Sequence, residues 1–315
     1  MVIIVTSSTL TWERSKQLTN TAQEAQDASN SESYFTGVNY YVFDNGKSSL
    51  HLDAKELTVN SLNQRVGFLS PIGVVFTERG EPVYYSATRG VLVQKENLLT
   101  LTEEVKLRLN NSTLNSDKLV YYLAKDKIKA NGSVKTTSRS VDGQDIIKVE
   151  ADKVFAWPRL QRSTYTGNVN GKIERTKVYE ENVDFKSQKM SLDMVKSLVN
   201  LNGNVYFKKQ QLSAKSRRGE IFLENYNKKL KYFVLYDDVK VVEKVMLEGL
   251  NSSSFDRKAF SEKLEGMMSE GRIILTGFPK VFQQGDVIKG NRITLRENNE
   301  VVEVDDANTN FRLKQ

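Results

Sequence analysis

The stretch that decides the fold is Thr164-Tyr165-Thr166-Gly167-Asn168-Val169-Asn170-Gly171, a strand-forming segment with a glycine set into it. Its Gly-x-Val core returns along the chain. Ala151 precedes Gly167 by 16 positions, and Ser116 precedes Gly132 by the same 16. The matching valines fall at positions 75, 105, 134, 169, 205 and 239, so the steps are 30, 29, 35, 36 and 34 residues. Recurrence in this range indicates an internal repeat.

The glycine position has two interpretations. It is either a β-bulge, where backbone or ligand approaches closely, or a turn glycine with no ligand role. Three units depart from the pattern: Glu103 and Asp237 occupy the glycine position, and Gly73 follows Ala54 with three extra residues.

Apolar residues within each unit alternate instead of recurring at three and four. Val105, Leu107 and Leu109 share one parity, and Lys106 and Arg108 occupy the other. This alternation is typical of a strand with one apolar and one solvated face. Each unit is too short for two strands and a crossover helix, so we expect one antiparallel strand pair per unit. The repeat runs through most of the 315 residues and predicts one elongated all-β body.

One segment departs from the alternation. After residues 251–253, Ser254 is a candidate helix N-cap, and Gly271 is a candidate stop. Between them, Phe260, Leu264, Met267 and Met268 fall at helical spacing. We therefore expect one short inserted helix over 254–270, packed across an opening of the sheet.

Composition favours a soluble protein with an anionic partner. Hydrophobic residues make up 39% and charged residues 27%, and 46 basic against 39 acidic side chains give a net charge of +7. Much of this charge alternates with apolar residues, which is also what the solvated face of a sheet requires. We expect no nucleic-acid partner, because no recognisable binding motif accompanies the charge.

The sequence contains few of the residue types that catalytic and metal-binding sites use. The chain has no cysteine, and His51 is the only histidine, so thiol chemistry and histidine-rich metal sites are excluded. A pair of carboxylates remains compatible with glycan hydrolysis. Because Asp53, Glu104, Asp117 and Asp152 sit on or beside regular repeats, we favour turn and outer-face roles for them. We expect neither enzymatic activity nor a cofactor.

The amino-terminal region is predicted to be a polar tether over residues 1–33. Met1 to Val5 is apolar, but this run is far too short for a membrane span or a signal-peptide core. Two interpretations remain open on the residues alone: a cytosolic protein, or a chain whose amino-terminal anchor is missing from this sequence.

Several segments are similar to the OstA-like lipopolysaccharide-transport proteins LptC and LptA. Val83-Tyr84-Tyr85-Ser86-Ala87-Thr88-Arg89-Gly90 and Leu114-Asn115-Ser116-Asp117-Lys118-Leu119-Val120-Tyr121 resemble the LptC pattern. Lys148-Val149-Glu150-Ala151-Asp152 leading to Thr166-Gly167-Asn168-Val169 resembles the LptA repeat, as does Val281-Phe282-Gln283-Gln284-Gly285-Asp286-Val287-Ile288-Lys289-Gly290. The resemblance implies an elongated open β-jellyroll, with an LptC-like part over 34–145 and an LptA-like part over 146–315.

The resemblance also implies a function. The inner groove of such a jellyroll shields the acyl chains of lipopolysaccharide, and the protein is part of the periplasmic bridge from the inner to the outer membrane. The implied partners are the inner-membrane ABC transporter complex, an outer-membrane barrel receptor and further copies of the chain, joined end to end. A periplasmic location favours the missing-anchor interpretation, with a tether to the inner membrane.

Two groups of residues follow as candidate sites. The apolar parity supplies the expected lipid-binding groove: Leu50, Leu52, Val105, Leu107, Leu109, Leu119, Tyr121, Val149, Val205 and Phe207. The strands near the carboxyl end supply the expected partner-docking edge: Ile293, Leu295, Val302 and Val304. Two alternatives remain open: a β-scaffold adaptor of the cell envelope that binds protein only, and a carboxylate glycan hydrolase.

Overall fold

The computed structural model describes residues 2–9, 32–44, 46–60, 64–77, 79–140, 143, 145–176, 181–225, 230–246, 254–267, 270–296, 299 and 301–306. Within these ranges the chain is built almost entirely of β-strands, which confirms the all-β expectation. No helix in the described ranges has the length and apolar character needed to cross a membrane.

The strands are β1 (Val2–Thr9), β2 (Glu32–Asp44), β3 (Lys47–Asn60), β4 (Arg65–Leu69), β5 (Ile72–Phe76), β6 (Pro82–Ser86), β7 (Arg89–Val93), β8 (Leu98–Leu109), β9 (Ser112–Tyr122), β10 (Lys127–Arg139), β11 (Asp145–Trp157), β12 (Arg162–Arg175), β13 (Val183–Asp193), β14 (Leu198–Lys209), β15 (Leu212–Leu223), β16 (Leu230–Met246), β17 (Ser254–Met267), β18 (Arg272–Thr276), β19 (Lys280–Gln283), β20 (Asp286–Lys289), β21 (Arg292–Arg296) and β22 (Val302–Asp305). Short 3₁₀ turns follow three of them, at Gln94–Glu96, Leu123–Lys125 and Pro158–Leu160.

The chain divides into two compact units. Unit 1 comprises Met1–Thr136 with Lys153–Gln161, and unit 2 comprises Thr137–Asp152 with Arg162–Gln315. Strands β10 and β11 therefore contribute residues to both units.

Unit 1 splits one long strand between two sets of partners. The first part of β3 pairs with β5, and its second part pairs with β4. β5 pairs with β6, which pairs with the second part of β8. β4 pairs with β7, which pairs with the first part of β8. Unit 1 thus has two half-sheets that share β3 and β8. The break between β4 and β5 falls at Ser70, in the left-handed region with φ of 52°, and Pro71, which has no backbone donor.

Unit 2 pairs long strands in sequence. Each of β12 to β16 pairs with its successor, and the register shifts near the middle of every pair. This line of shifts divides unit 2 into two half-sheets. The far part of β17 then pairs with β18 and its near part with β19.

The repeat marks these register shifts. Two consecutive residues adopt positive φ at each of Glu103-Glu104, Gly132-Ser133, Gly167-Asn168, Gly203-Asn204, Asp237-Asp238 and Gly277-Phe278. On the strand opposite, a small residue lies at the corner. Where this residue is serine, its hydroxyl donates a hydrogen bond to the backbone carbonyl two residues further along the chain. This bond is formed by Ser116, Ser187, Ser216 and Ser261. The repeated glycine is therefore a bulge residue, not a loop residue.

The bulge also explains how acids replace glycine. Asp237 adopts φ of 65°, and Arg218 on the opposite corner lies 2.6 Å from its Oδ2 atom. Arg89 similarly approaches Glu103, at 3.6 Å. A cation on the facing corner thus accompanies both of the carboxylates that replace the repeated glycine, Glu103 and Asp237. Gly73, by contrast, does not have positive φ and lies in β5.

The expected helix over 254–270 is wrong: Ser254–Met267 is strand β17, paired with β16. Burial follows Arg257, Ala259 and Ser261 and then moves to Leu264, while Phe260 is exposed. Strands at the corners take three-residue steps between buried positions, and bulged strands take four-residue steps, such as Tyr165 to Val169. Together these steps imitate helical spacing. Met268 lies outside the described residues.

The amino-terminal expectation is partly corrected. β1 pairs antiparallel with β2, from Val2 opposite Phe43 to Thr9 opposite Thr36, so residues 2–9 are strand and not tether. Residues 32 and 33 likewise belong to β2. Residues 10–31, the rest of the expected tether, lie outside the described residues.

Candidate apolar groove

The expected groove residues all lie on strands, and they face inward. Nine of the ten are at most 7% exposed, and Leu109 is half-buried. Seven belong to unit 1, and Val149, Val205 and Phe207 belong to unit 2. The alternation therefore identified the inner face.

In unit 1, the inner face is a set of cross-strand rows. One row runs Tyr40, Leu52, Gly73, Tyr85, Leu107, Leu114 across β2, β3, β5, β6, β8 and β9. Gly73 is required here because a Cβ atom would lie 2.8 Å from both Leu52 Cβ and the Tyr85 hydroxyl. The phenol of Tyr85 thus covers the place where a side chain would otherwise stand.

The two half-sheets of unit 1 contact each other through aromatic rings. Tyr40 and Phe68 meet edge to face with centroids 5.5 Å apart. Gln94 donates a hydrogen bond of 3.0 Å from Nε2 to the Tyr40 hydroxyl. These contacts close the interior of unit 1 at this level.

Buried hydroxyl groups make this interior partly polar. The Tyr121 hydroxyl donates to Asp126 Oδ1 at 2.6 Å, and Asp126 Oδ2 accepts from the Arg159 backbone at 2.9 Å. By contrast, the Tyr85 hydroxyl is buried and has no hydrogen-bond partner among the residues that the structure describes. Burial raises the pKa of both Tyr85 and Tyr121, so both phenols stay neutral at physiological pH.

Unit 2 closes its interior in the same manner. Phe207 and Phe233 come from different half-sheets, and their rings stack with centroids 3.8 Å apart. Beside them, the Phe185 ring lies over Gly171, its cross-strand partner. The inner face of unit 2 is thus apolar and tightly packed at its centre.

An ion pair that the sequence analysis missed lies inside unit 2. Arg257 and Glu243 are cross-strand partners, 1% and 2% exposed, with Nη2 and Oε2 2.6 Å apart. Arg257 also donates to the carbonyls of Arg296 and Asn299, at 3.0 and 2.8 Å. The sequence did contain a signal for this buried pair, because Glu243 has the same parity as Val241 and Val245, which lie on the buried face.

The expected docking edge separates into two parts. Ile293 and Leu295 are fully buried on β21, which pairs with β18 on one side and β22 on the other. Their strand therefore offers no free edge. Val302 and Val304 are half-buried on β22, whose pairing within the described residues is with β21 alone. The possible junction is thus narrower than expected.

A shallow pocket of about 390 Å³ opens in unit 1. Its lining includes Ile72, Tyr84, Lys106 and Arg108, and the Arg108 guanidinium lies 4.8 Å from the centroid of the Tyr84 ring. No metal-binding cluster of histidine and carboxylate side chains occurs within the described ranges.

The carboxylates considered for hydrolysis occupy corners. A Cβ atom at Gly132 would meet the Asp117 side chain, and Asp152 is placed in the same way beside Gly167. Asp152 Oδ2 also accepts a hydrogen bond of 3.0 Å from Asn168. These contacts favour a structural role for Asp117 and Asp152 at the bulges.

Comparison with known proteins supports the resemblance. Residues 1–155 match the family described as "Lipopolysaccharide-assembly, LptC-related", and residues 184–301 match "LptA/(LptD N-terminal domain) LPS transport protein". A solved structure, the LptA-homologous periplasmic component LptH from Pseudomonas aeruginosa, is 13% identical, covers 40% of this chain and 82% of its own, and has a TM-score of 0.34. A search of curated proteins finds no match.

Proposed function

Because this chain is an OstA-like lipopolysaccharide-transport protein that joins an LptC-related segment to an LptA-like one, we propose that it holds acyl chains of lipopolysaccharide against the apolar inner faces of its units. It acts in the periplasm, as part of the bridge from the inner to the outer membrane. The observation that carries the proposal is the cross-strand row from Tyr40 to Leu114, which crosses six strands and offers an apolar or aromatic side chain on each of them except β5, where Gly73 stands.

The energetics favour a shielded path. Each methylene removed from water contributes about 0.8 kcal/mol, so a chain of about 12 carbons represents roughly 10 kcal/mol. A lipid with several such chains leaves a membrane slowly unless an apolar surface receives it. The energy for directed movement comes from the ABC transporter partner.

Lipid entry requires the half-sheets to part. In unit 1 the acyl chain takes the place of the contact between Tyr40 and Phe68, and in unit 2 that between Phe207 and Phe233. The lost ring contacts are offset by new contacts with the acyl chain, so the exchange is nearly balanced. A nearly balanced exchange suits a carrier that must also release its cargo.

The two ends serve different partners. We assign residues 34–145 as the LptC-like part, which receives lipid from the inner-membrane ABC transporter complex, and residues 146–315 as the LptA-like part. Backbone groups of β22, beside Val302 and Val304, pair with a related β-domain of the outer-membrane barrel receptor or of a second copy.

Site-specific photocrosslinking in living cells tests the groove. Leu107 and Arg108 are neighbours on β8, but Leu107 faces inward at 7% exposure and Arg108 is exposed. A photoreactive residue at 107 should recover lipopolysaccharide, and one at 108 should recover little. If 107 captures only protein, the chain is a β-scaffold adaptor. Equal lipid capture from both positions would mean that the inner face is not the lipid site.

A further inference from the structure

One half-sheet of unit 2 presents an exposed face in which lysines alternate with apolar side chains. A cross-strand row runs Lys186, Tyr206, Lys215, Lys240, Phe260, Lys280, Lys289 from β13 to β20. The next row runs Asp184, Lys208, Ser213, Val242, Lys258, Phe282, Val287. Lys244 and Met246 extend the face along β16. We call this surface the lysine face.

The apolar members of the lysine face are exposed to solvent. Val242, Met246, Phe260 and Phe282 are 39 to 44% exposed, and the two phenylalanine rings pack edge to face at 5.8 Å. The inward side of the same strands already carries Val239, Val241 and Val245. The core therefore does not require these exposed side chains to be apolar.

The charge on the lysine face is one-sided. Its eight lysines are exposed, and none forms an ion pair with a carboxylate in the described part of the chain: Lys186, Lys208, Lys215, Lys240, Lys244, Lys258, Lys280 and Lys289. Only Asp184 and Asp256 interrupt them, and Asp256 stands opposite Lys244. Corner lysines and arginines elsewhere in unit 2, such as Arg218, do have carboxylate partners.

We propose that the lysine face docks unit 2 onto the surface of an anionic lipid bilayer. Lysine is a compact, strongly hydrated charge on a flexible apolar stem, so it reaches phosphate groups while the stem covers neighbouring rings. Phenylalanine, valine and methionine between the lysines enter the boundary between headgroups and acyl chains. Protein interfaces are enriched in arginine and depleted in lysine, whereas the two cross-strand rows of this face contain lysine and no arginine.

This inference is separate from the carriage of lipopolysaccharide by the inner faces. The same strands would thus have two roles, with the inner parity facing cargo and the outer parity facing a membrane. Because the binding is electrostatic in large part, it weakens as the ionic strength rises.

Vesicle co-sedimentation tests the proposal with the full chain. The probe is a phosphatidylcholine vesicle with or without phosphatidylglycerol, and no lipopolysaccharide is present. The protein should bind the anionic vesicle in a salt-sensitive manner and bind the neutral vesicle weakly. Each lysine near an anionic surface contributes about fivefold, so the triple variant Lys240→Gln, Lys258→Gln, Lys280→Gln should bind roughly 100-fold more weakly.

The matched control changes equal charge outside the lysine face. Lys189, Lys196 and Lys231 are exposed in unit 2, and their triple glutamine variant should retain nearly full binding. The double variant Phe260→Ser, Phe282→Ser tests the apolar component of vesicle binding. Its control is Val195→Ser, which changes a side chain that is 69% exposed in a turn. Equal weakening by both lysine triples would reduce the effect to net charge and overturn the assignment. The proposal would also be overturned if the protein did not bind vesicles and an acidic envelope protein instead protected Lys240 from acetylation.

Discussion

The Arg257 guanidinium binds the Glu243 carboxylate at 2.6 Å inside unit 2, and the same guanidinium donates to the carbonyls of Arg296 and Asn299. The ion pair thus fastens the end of β21 to the inward side of β16 and β17. A charge pair of this kind contributes only while both partners and their hydrogen bonds are present.

Glu243→Gln should destabilise the protein strongly, because it leaves Arg257 buried without a compensating charge. We expect a loss of about 3 kcal/mol in the free energy of unfolding. Urea denaturation of the variant measures it. Lys244→Gln, one residue away on the exposed side, is the control and should change stability by less than about 0.5 kcal/mol. A similar loss from both variants would contradict the importance of the buried pair.

Gly167→Ala should cost more stability than Gly143→Ala. Both glycines belong to unit 2 and have similar positive φ, 78° and 72°. A Cβ atom at Gly143 meets open space, whereas one at Gly167 would lie 3.0 Å from Asp152 Cβ. Left-handed backbone alone should cost about 1 to 2 kcal/mol at either site, and crowding adds to it only at Gly167. Thermal unfolding of the two variants, compared directly, checks the bulge: equal shifts would show that the corner tolerates a side chain.

Stability should fall in acid partly through Asp237. Its hydrogen bond with Arg218 is the main cause that lowers the pKa of the Asp237 carboxyl. A carboxyl with a lowered folded-state pKa stabilises the protein above its unfolded pKa of about 3.9. This stabilisation is lost as pH falls through the folded-state pKa.

The Asp237→Asn variant should therefore show a shallower loss of stability below about pH 4 than the parent protein. Unfolding midpoints measured across this pH range test it. Arg218→Gln removes the cause and should flatten the same part of the curve. If neither variant changes how stability falls in acid, the ion pair between Asp237 and Arg218 contributes nothing to stability.

Val302→Pro should weaken end-to-end association. Proline removes one backbone donor from β22, the strand that pairs only with β21 within the described residues. Crosslinking between partners and sedimentation would report the loss, while lipid capture from position 107 should persist. Val302→Ala keeps the donor and serves as control. Unchanged association of a folded proline variant would place the junction on another surface.

The sequence by itself determined most of the strands and their inward parity, but not strands β1 and β17, and it left the repeated glycine open between a bulge and a turn. These features depend on neighbours two residues apart, so alternation such as Val105, Leu107 and Leu109 states them directly. It also indicated the repeat, because each bulge needs a residue that accepts positive φ. The inner-face residues were named correctly as inward, but lipid contact at those positions stays a prediction.

Other features were decided only by the tertiary structure. The helical spacing of Phe260, Leu264 and Met267 arose because β17 passes a corner opposite Asp237 and Asp238, a relationship between distant strands. Pairing of β21 on both sides likewise removed Ile293 and Leu295 from the candidate edge. The lysine face exists because register aligns side chains far apart in sequence. Such partners are set by long-range pairing, which a local pattern does not encode.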